Sequence, residues 1–264
     1  MVKFLDSMEI KNYAMNQNLP FTAKTKMAEV IHLDYRLIPI IGRFGIDFGF
    51  GNKTVSEVCS DHEINVWFFL EIINSYHNPE YFPKKQLQNF NAQLIIRYLS
   101  STHAYYLNTK VPEIESYIDE MEKKASKENQ KNIKLLNDFF KGYKTELKKH
   151  LDREDQIIFP YIISLENSLL ENSFDQDLID MVKHEPIENY EQSHDNVELK
   201  LSDLKNLIIR YLPPVLCKEL CQKLLIELFR LEADLENHGR IEDKVLVPKV
   251  KLLEQKILES SGIY

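Results

Sequence analysis

The hydrophobic residues of the C-terminal two thirds of the chain recur at helical spacing over long stretches. Apolar positions alternate in steps of three and four along residues 87–109, 129–165, 186–210 and 214–257. Prolines or polar clusters separate these stretches. Four amphipathic helices of this length, roughly 20–40 residues each, are typical of a four-helix bundle. The pattern therefore predicts an all-α protein whose largest part is a helical bundle.

The hydrophobic pattern changes near residues 77–86, where two prolines fall close together between periodic segments. We therefore predict a small helical N-terminal module over residues 1–82 and the bundle over residues 83–264. Pro112 is predicted either to begin a new helical segment or to kink the first long helix.

Shorter helical patterns fill the predicted N-terminal module. Residues 25–43 favour one helix, with Pro39 as the expected point of interruption. Thr54 and Glu57 have the spacing of a capping box, which predicts that the next helix starts directly after Thr54. A further short helix is predicted over residues 65–76.

Composition and charge narrow the class of protein. The 264 residues include only 7 Gly, 10 Pro and 3 Cys, which excludes collagen-like chains and disulfide frameworks. A net charge of −8 disfavours nucleic acid and anionic membranes as partners. No apolar run approaches the ~20 residues of a membrane span, and the first residues lack a signal-peptide core, so we expect a cytoplasmic protein.

Each of the four predicted core stripes is interrupted by one histidine, and two stripes also carry a glutamate one turn later. Because residues four apart project from the same helix face, each His–Glu pair can reach one centre. No arrangement typical of nucleophilic catalysis stands out beside them. In chain order the polar members of the stripes are His103, His150, Glu154, His194, His238 and Glu242.

The second and fourth helices repeat each other around these pairs. The segments HLDREDQIIFPYI (150–162) and HGRIEDKVLVPKV (238–250) share His, Glu, Asp and Pro at identical spacing. The order His-x-x-x-Glu differs from the Glu-x-x-His pairs of ferritin-like di-iron bundles.

Two glutamates and four histidines in one core, with no Lys or Arg on the same stripes, require a cation, because desolvating an unpaired carboxylate costs several kcal/mol. Without thiolates among the donors, a Cys-rich structural zinc site is excluded, and six donors are too many for one tetrahedral zinc. The set suits two first-row ions, each with two His, bridged by both Glu and an oxygen from solvent. Iron is the best candidate, and manganese or zinc could substitute.

The pattern resembles the hemerythrin-like cation-binding domain over residues 85–257. The likeness is carried by the two repeated segments and by PIENYEQSHD (186–195). The N-terminal segments GIDFGFGNKTVSEVC (45–59) and EINVWFFLEIIN (63–74) resemble the small N-terminal domain of the iron–sulfur cluster repair di-iron proteins, the regulators of cell morphogenesis and NO signalling.

This resemblance places the family's ligands on the same six residues. It implies two non-haem iron ions with an oxo or hydroxo bridge, O₂ or NO as a small ligand, damaged iron–sulfur proteins as clients, and a role in nitrosative or oxidative stress. One departure stands out. Where that family typically has a Cys-Cys pair, this chain has Gly49 and Phe50, so thiol chemistry assigned to that pair cannot operate here.

Three functions stay open at this point: iron–sulfur cluster repair with NO or O₂ handling, a non-catalytic sensor of O₂, NO or redox state, and an iron store or carrier. A store is the weakest, since two ions per chain give little capacity. Trp67, Phe68 and Phe69 are expected to pack the small module, and they are also candidates for the face of a homodimer.

Overall fold

The computed structural model describes residues 20–187, 195–213 and 218–260. Helices form most of these residues, and the described ranges contain no strand, only one isolated antiparallel bridge between Lys26 and Thr54. The predicted all-α class is therefore confirmed. The chain divides into two compact units between Phe90 and Asn91, later than the predicted boundary at residues 82–83.

The first unit consists of short helices joined by tight turns. They are α1 (Met27–Leu33), α2 (Ile38–Arg43), α3 (Val55–Asp61), α4 (Val66–His77) and α5 (Lys84–Gln88), with a 3-10 turn at Tyr35–Leu37 between α1 and α2. The predicted capping box is confirmed, because the Thr54 side chain accepts from the Glu57 amide and the Glu57 carboxylate accepts from the Thr54 amide. Phe68 and Phe69 are buried, whereas Trp67 is 64% exposed.

The single helix predicted over residues 25–43 is wrong, because the chain breaks at Asp34 and not at Pro39. Asp34 is extended, and its buried carboxylate accepts hydrogen bonds from the Arg36 amide and guanidinium. It also lies 3.0 Å from the buried ring nitrogen Nδ1 of His77, the last residue of α4. A side chain that bonds the backbone locally ends a helix, whereas Pro39 fits the first turn of α2, where no intrahelical donor is needed.

The second unit contains the long helices. They are α6 (Ala92–Tyr105), α7 (Val111–Lys124), α8 (Gln130–Arg153), α9 (Phe159–Glu171), α10 (Gln176–His184), α11 (Asp195–Asn206), α12 (Lys218–Ile241) and α13 (Val247–Ser260). Single π turns join α6 to α7, α8 to α9 and α12 to α13. The first long helix therefore continues to Lys124, well past its predicted end at residue 109.

These helices pack side by side as a bundle. At one end of the unit, α7 packs against α8 and α12, and α11 packs against the same two helices. At the other end, α9 packs against α6 and α13. The predicted four-helix arrangement is confirmed. None of the described helices combines the length and the apolarity needed to cross a bilayer.

Four π turns occur in the described part of this unit, at Tyr106–Lys110, Glu154–Ile158, Leu207–Tyr211 and Glu242–Leu246. In all four, a proline occupies the second position after the turn; the helix continues after the first, second and fourth and ends after the third. Proline lacks an amide hydrogen, and its ring crowds the carbonyl four residues earlier, so a wider turn accommodates it. Pro112 therefore lies in the first turn of α7, which follows α6 through this π turn. Of the two alternatives, the start of a new helical segment is the one that the structure shows.

Charged side chains are also buried next to the apolar core that α7, α8, α11 and α12 form. Lys110, at the end of the first π turn, pairs with Glu227 of α12 and with Glu113. Lys110 lies one turn beyond Tyr106, the last position of the predicted first stripe, and is only 8% exposed. The positive charge of Lys110 is compensated by Glu113 and Glu227, which are not part of the His–Glu cluster.

The Asp34–His77 contact makes the first unit sensitive to acid. Burial alone would raise the pKa of Asp34, but hydrogen bonds from Arg36 and His77 outweigh it and hold the pKa below its ordinary value of 3.8. A lowered carboxyl pKa contributes stability above the unfolded-state pKa, and that stability is lost as the pH falls through the folded-state pKa.

We therefore expect Asp34→Asn to lower the free energy of unfolding by about 1–3 kcal/mol at pH 7. The difference from wild type should shrink as the pH falls below 3.8. Urea unfolding of the full chain at pH 7 and at pH 3 measures both effects. Asp47→Asn, at an exposed position, is the control; an equal loss of stability in that variant would contradict the assignment.

Candidate metal centre

Four of the predicted ligands meet in the interior of the bundle. His103, Glu154, His238 and Glu242 each offer one donor atom, and these atoms all lie within 4.8 Å of one another. The side chains come from α6, from α12 and from the first residues of two π turns. Each of the four is at most 3% exposed. π turns are frequent at functional sites, and here two of them begin at a clustered carboxylate.

The donor separations fit a bound ion. The two imidazole nitrogens Nε2 of His103 and His238 face each other at 3.2 Å. His103 Nε2 lies 3.3 Å from Glu154 Oε2, and His238 Nε2 lies 3.1 Å from Glu242 Oε1. Donors bound to one first-row ion at about 2.1 Å, roughly at right angles, lie ~3 Å apart. The cluster therefore has the spacing of neighbouring ligands around a single ion.

The charge of the cluster also favours a cation. Glu154 is fully buried and Glu242 is 3% exposed, and burying two carboxylates is unfavourable without positive charge nearby. The oxygens of these two glutamates lie close to the imidazole nitrogens of His103, His150 and His238. Imidazole nitrogen with carboxylate oxygen is the donor set that zinc, iron and manganese accept.

Asp155 orients one of the imidazoles. His103 Nδ1 lies 3.0 Å from Asp155 Oδ1, which also accepts a hydrogen bond from the Ser100 hydroxyl. Although burial alone would raise the pKa of Asp155, the hydrogen bond from His103 helps to hold it below its usual range. A carboxylate is only an acceptor, so Nδ1 carries the proton and Nε2 turns its lone pair to the cluster.

Burial lowers the pKa of His103, against the opposing effect of its hydrogen bond to Asp155. The ring is therefore neutral at pH 7, which is the form that binds a metal. Sequence analysis did not select Asp155 or Ser100 as site residues. The sequence did contain one indication of Asp155: both repeated segments have an Asp directly after the predicted ligand Glu, and Asp155 follows Glu154.

His150 lies at the edge of the cluster. Its Nε2 is 3.2 Å from Glu154 Oε1, and its side chain is 15% exposed. The two oxygens of Glu154 thus face different imidazoles, Oε2 towards His103 and Oε1 towards His150. A carboxylate presented in this way can bridge two ions. His194, the remaining predicted ligand, lies outside the described residues, and its role as a ligand stays a prediction.

A small cavity of about 30 Å³ adjoins the cluster. His150, His238 and Glu242 form part of its wall, so its contents can touch the donors directly. The other described lining residues are Leu151, Val197, Leu235 and Gly239. The volume exceeds the ~10–15 Å³ that one water molecule requires, so the space beside the donors is large enough for an ion or a water molecule.

The first unit offers no comparable chemistry among its described residues. Gly49 has a φ of +101°, a conformation that side-chain-bearing residues rarely adopt, so a cysteine there would be strained. Phe50 lies 6.4 Å from the exposed Phe48 ring, measured between ring centroids. Cys59 is buried, and burial raises the pKa of its thiol to about 12, so it is protonated and unreactive.

Comparison with known proteins agrees with this geometry. The family described as the hemerythrin HHE cation binding domain matches residues 106–250, more than half of the chain. The matched range includes five of the six predicted ligands; His103 precedes it. Helix α6 therefore supplies a donor that the family match alone does not cover.

A curated relative extends the likeness into the first unit. The chain is 23% identical over 216 residues to the iron-sulfur cluster repair protein ScdA of Staphylococcus haemolyticus (strain JCSC1435), which covers 80% of this chain and 90% of the relative. The resemblance inferred from the sequence is thereby confirmed. From the family match and the bundle that carries the His–Glu cluster, we conclude that this chain belongs to the hemerythrin HHE cation-binding family.

Proposed function

We propose that the bundle holds two non-haem iron ions and that the protein uses them in the response to nitrosative or oxidative stress. The observation that carries the proposal is the buried cluster of His103, Glu154, His238 and Glu242, with His150 beside it. His103 and His238 would hold one ion and His150 and His194 the other, with both glutamates between them. Manganese or zinc are the substitutes expected for iron.

Iron in such a site would supply redox chemistry and an affinity for O₂ or NO. The chain contributes burial, which excludes water, and orientation, because Asp155 fixes the His103 ring. A small space lined by His150, His238 and Glu242 lies among the proposed donors, so it would face the ions that they hold. The relative's printed name supports iron–sulfur cluster repair as the process that this chemistry serves.

Sensing is the second candidate function. It is favoured by the loop of the first unit, where Gly49 and Phe50 offer no thiol and Cys59 is buried. Repair by this chain would therefore rely on the iron of the bundle alone. A sensor would need only reversible ligand binding at that iron.

We expect close to two iron ions per chain in protein purified with iron. Six predicted ligands cannot all be used by one ion and still leave the glutamates to bridge, so the set suits two ions. Metal analysis together with the absorption spectrum of the aerobic protein tests this. One zinc per chain without absorption from bridged iron would contradict the di-iron proposal.

The variants Glu154→Gln and Glu242→Gln should separate metal binding from folding. Each should lose most of the metal and therefore most of the metal-dependent stabilisation, which for an ion at a thousand times its Kd is about 4 kcal/mol. The metal-free variants should be no less stable than metal-free wild type, because an uncompensated buried charge has been removed. Thermal unfolding with and without Fe²⁺ under anaerobic conditions measures both quantities.

His184→Ala is the matched control for these variants. His184 is the last residue of α10 and is absent from the described donor cluster. The variant should retain iron, whereas His238→Ala should lose it. Equal loss of iron from the two histidine variants would show that the assigned ligands are wrong.

Repair and sensing differ in a turnover assay on the full chain. If repair is the function, the reduced protein should restore activity to an NO-damaged iron–sulfur enzyme, and Glu154→Gln should not. If the protein is only a sensor, it should bind NO or O₂ reversibly and restore no activity. Restoration at equal rates by wild type and by the metal-free Glu154→Gln variant would contradict an iron-based repair function.

A further inference from the structure

Helix α6 is capped at its N-terminus from another helix. The backbone amides of Ala92 and Gln93, its first two residues, donate hydrogen bonds of 2.8 and 3.3 Å to the carboxylate of Glu166 in α9. The first amides of a helix have no acceptor within the helix, and a negative charge beside them is favourable because of the helix dipole. The local cap residue, Asn91, accepts from the amide of Leu94. The cap of α6 is therefore completed by a side chain that is distant in the sequence.

The same carboxylate reaches a third helix. Glu166 Oε1 lies 3.9 Å from the ammonium nitrogen Nζ of Lys249 in α13, and the two side chains are only 14% and 16% exposed. Salt screens partly buried charges less than exposed ones, so this contact persists at ordinary ionic strength. Glu166 therefore joins the start of α6 to α9 and α13 at one level of the bundle.

Each of these three helices also leads to a donor of the cluster. His103 lies in α6, Glu154 begins the π turn that joins α8 to α9, and Glu242 begins the π turn that joins α12 to α13. Glu166 itself is not one of the four clustered donors. Its carboxylate is nevertheless connected through helices to three of them.

The span along α6 matches the span along α9. His103 follows Ala92 by ~17 Å of helix, and Glu166 follows Glu154 by ~18 Å. At one end of this span the Ala92 amide donates to Glu166, and at the other end His103 Nδ1 lies 3.0 Å from Asp155 Oδ1. Because N–H···O hydrogen bonds have donor–acceptor distances of about 2.7–3.2 Å, a slide of α6 along α9 by one residue, ~1.5 Å, would break both contacts.

We propose that Glu166 is a positioning residue, which fixes how far α6 lies along α9 and α13 and so holds His103 opposite the other donors. The inference rests on the proposed function, since the exact place of His103 matters only if the cluster binds metal. Apolar packing between helices is non-directional, whereas hydrogen bonds to the end of a helix fix its axial position. Glu166 thus acts on the geometry of the donor set through α6.

The test compares Glu166→Ala and Glu166→Gln with Asn91→Ala in the full chain. Asn91→Ala is the matched control, because it removes a hydrogen bond from the same helix end without cutting the link to α9. Glutamine keeps an acceptor oxygen at position 166 but removes the charge. Co²⁺ is the probe, because its visible absorption bands report the number and arrangement of its ligands. Thermal unfolding of each metal-free variant measures the loss of the cap.

Glu166→Ala and Asn91→Ala should both unfold at lower temperature than wild type, because each leaves helix amides without an acceptor. Only Glu166→Ala should also weaken Co²⁺ binding, by roughly 10–100-fold, which is the loss typical of removing a residue that orients a metal ligand. Its Co²⁺ absorption bands should change as well. Glu166→Gln should bind Co²⁺ more tightly than Glu166→Ala, since it restores an acceptor for the α6 amides.

A second measurement needs no metal. In the metal-free wild type, the proton on the buried His103 Nδ1 is held by Asp155 and should give an imidazole NMR resonance that exchanges slowly with water. Because local opening governs such exchange, it should be about tenfold faster or more in Glu166→Ala. It should stay unchanged in Asn91→Ala. A residue that only stabilised α6 would affect both variants alike.

Wild-type Co²⁺ affinity and wild-type proton exchange in Glu166→Ala would overturn the inference, and so would equal changes in Glu166→Ala and Asn91→Ala. If Glu166→Ala does not fold, Glu166→Gln decides by the same two criteria. The proposed function fails separately, if wild type holds fewer than two iron ions. In that case the exchange of the His103 proton still decides the role of Glu166, since it is measured without metal.

Discussion

The structure of the second unit depends on burying two carboxylates, Glu154 and Glu242, in the middle of a helical bundle. Such groups are strongly unfavourable in an apolar interior unless positive charge and hydrogen bonds compensate them. Here the carboxylates face imidazole nitrogens at 3.1–3.3 Å, and in the proposed state metal ions supply the positive charge. Folding of this half of the bundle is therefore linked to metal binding.

The prolines and π turns serve the same centre. Two π turns begin at Glu154 and Glu242, and Pro160 and Pro248 follow them at equal spacing. Each wide turn changes the register of the helix, so that the residues after it pack differently from those before it. The buried Lys110–Glu227 pair lies at the end of the π turn Tyr106–Lys110, next to the contact of α7 with α12. Buried carboxylates are thus found both beside Lys110 and at the donor cluster.

The two units contribute unequally to the chemistry. The first unit is ordered by short-range hydrogen bonds, such as those of Asp34 and of the Thr54 capping box, and by aromatic contacts around Phe68. Its described residues provide no reactive thiol pair. The likeness to the cluster repair relative nevertheless extends over 80% of the chain, so it includes part of the first unit as well as the bundle.

The sequence by itself determined the all-α class, the bundle and the residues that share a core stripe, because helical periodicity and the i, i+4 spacing of His150 with Glu154 and of His238 with Glu242 are local properties. It could not show that His103 and His238 face each other, which depends on how α6 and α12 pack. Nor could it show the buried contact between Asp34 and His77, which are far apart in the chain. Only the tertiary structure decided the contact of Asp155 with His103 and the cavity beside the donors, because both arise between helices that are far apart in the chain.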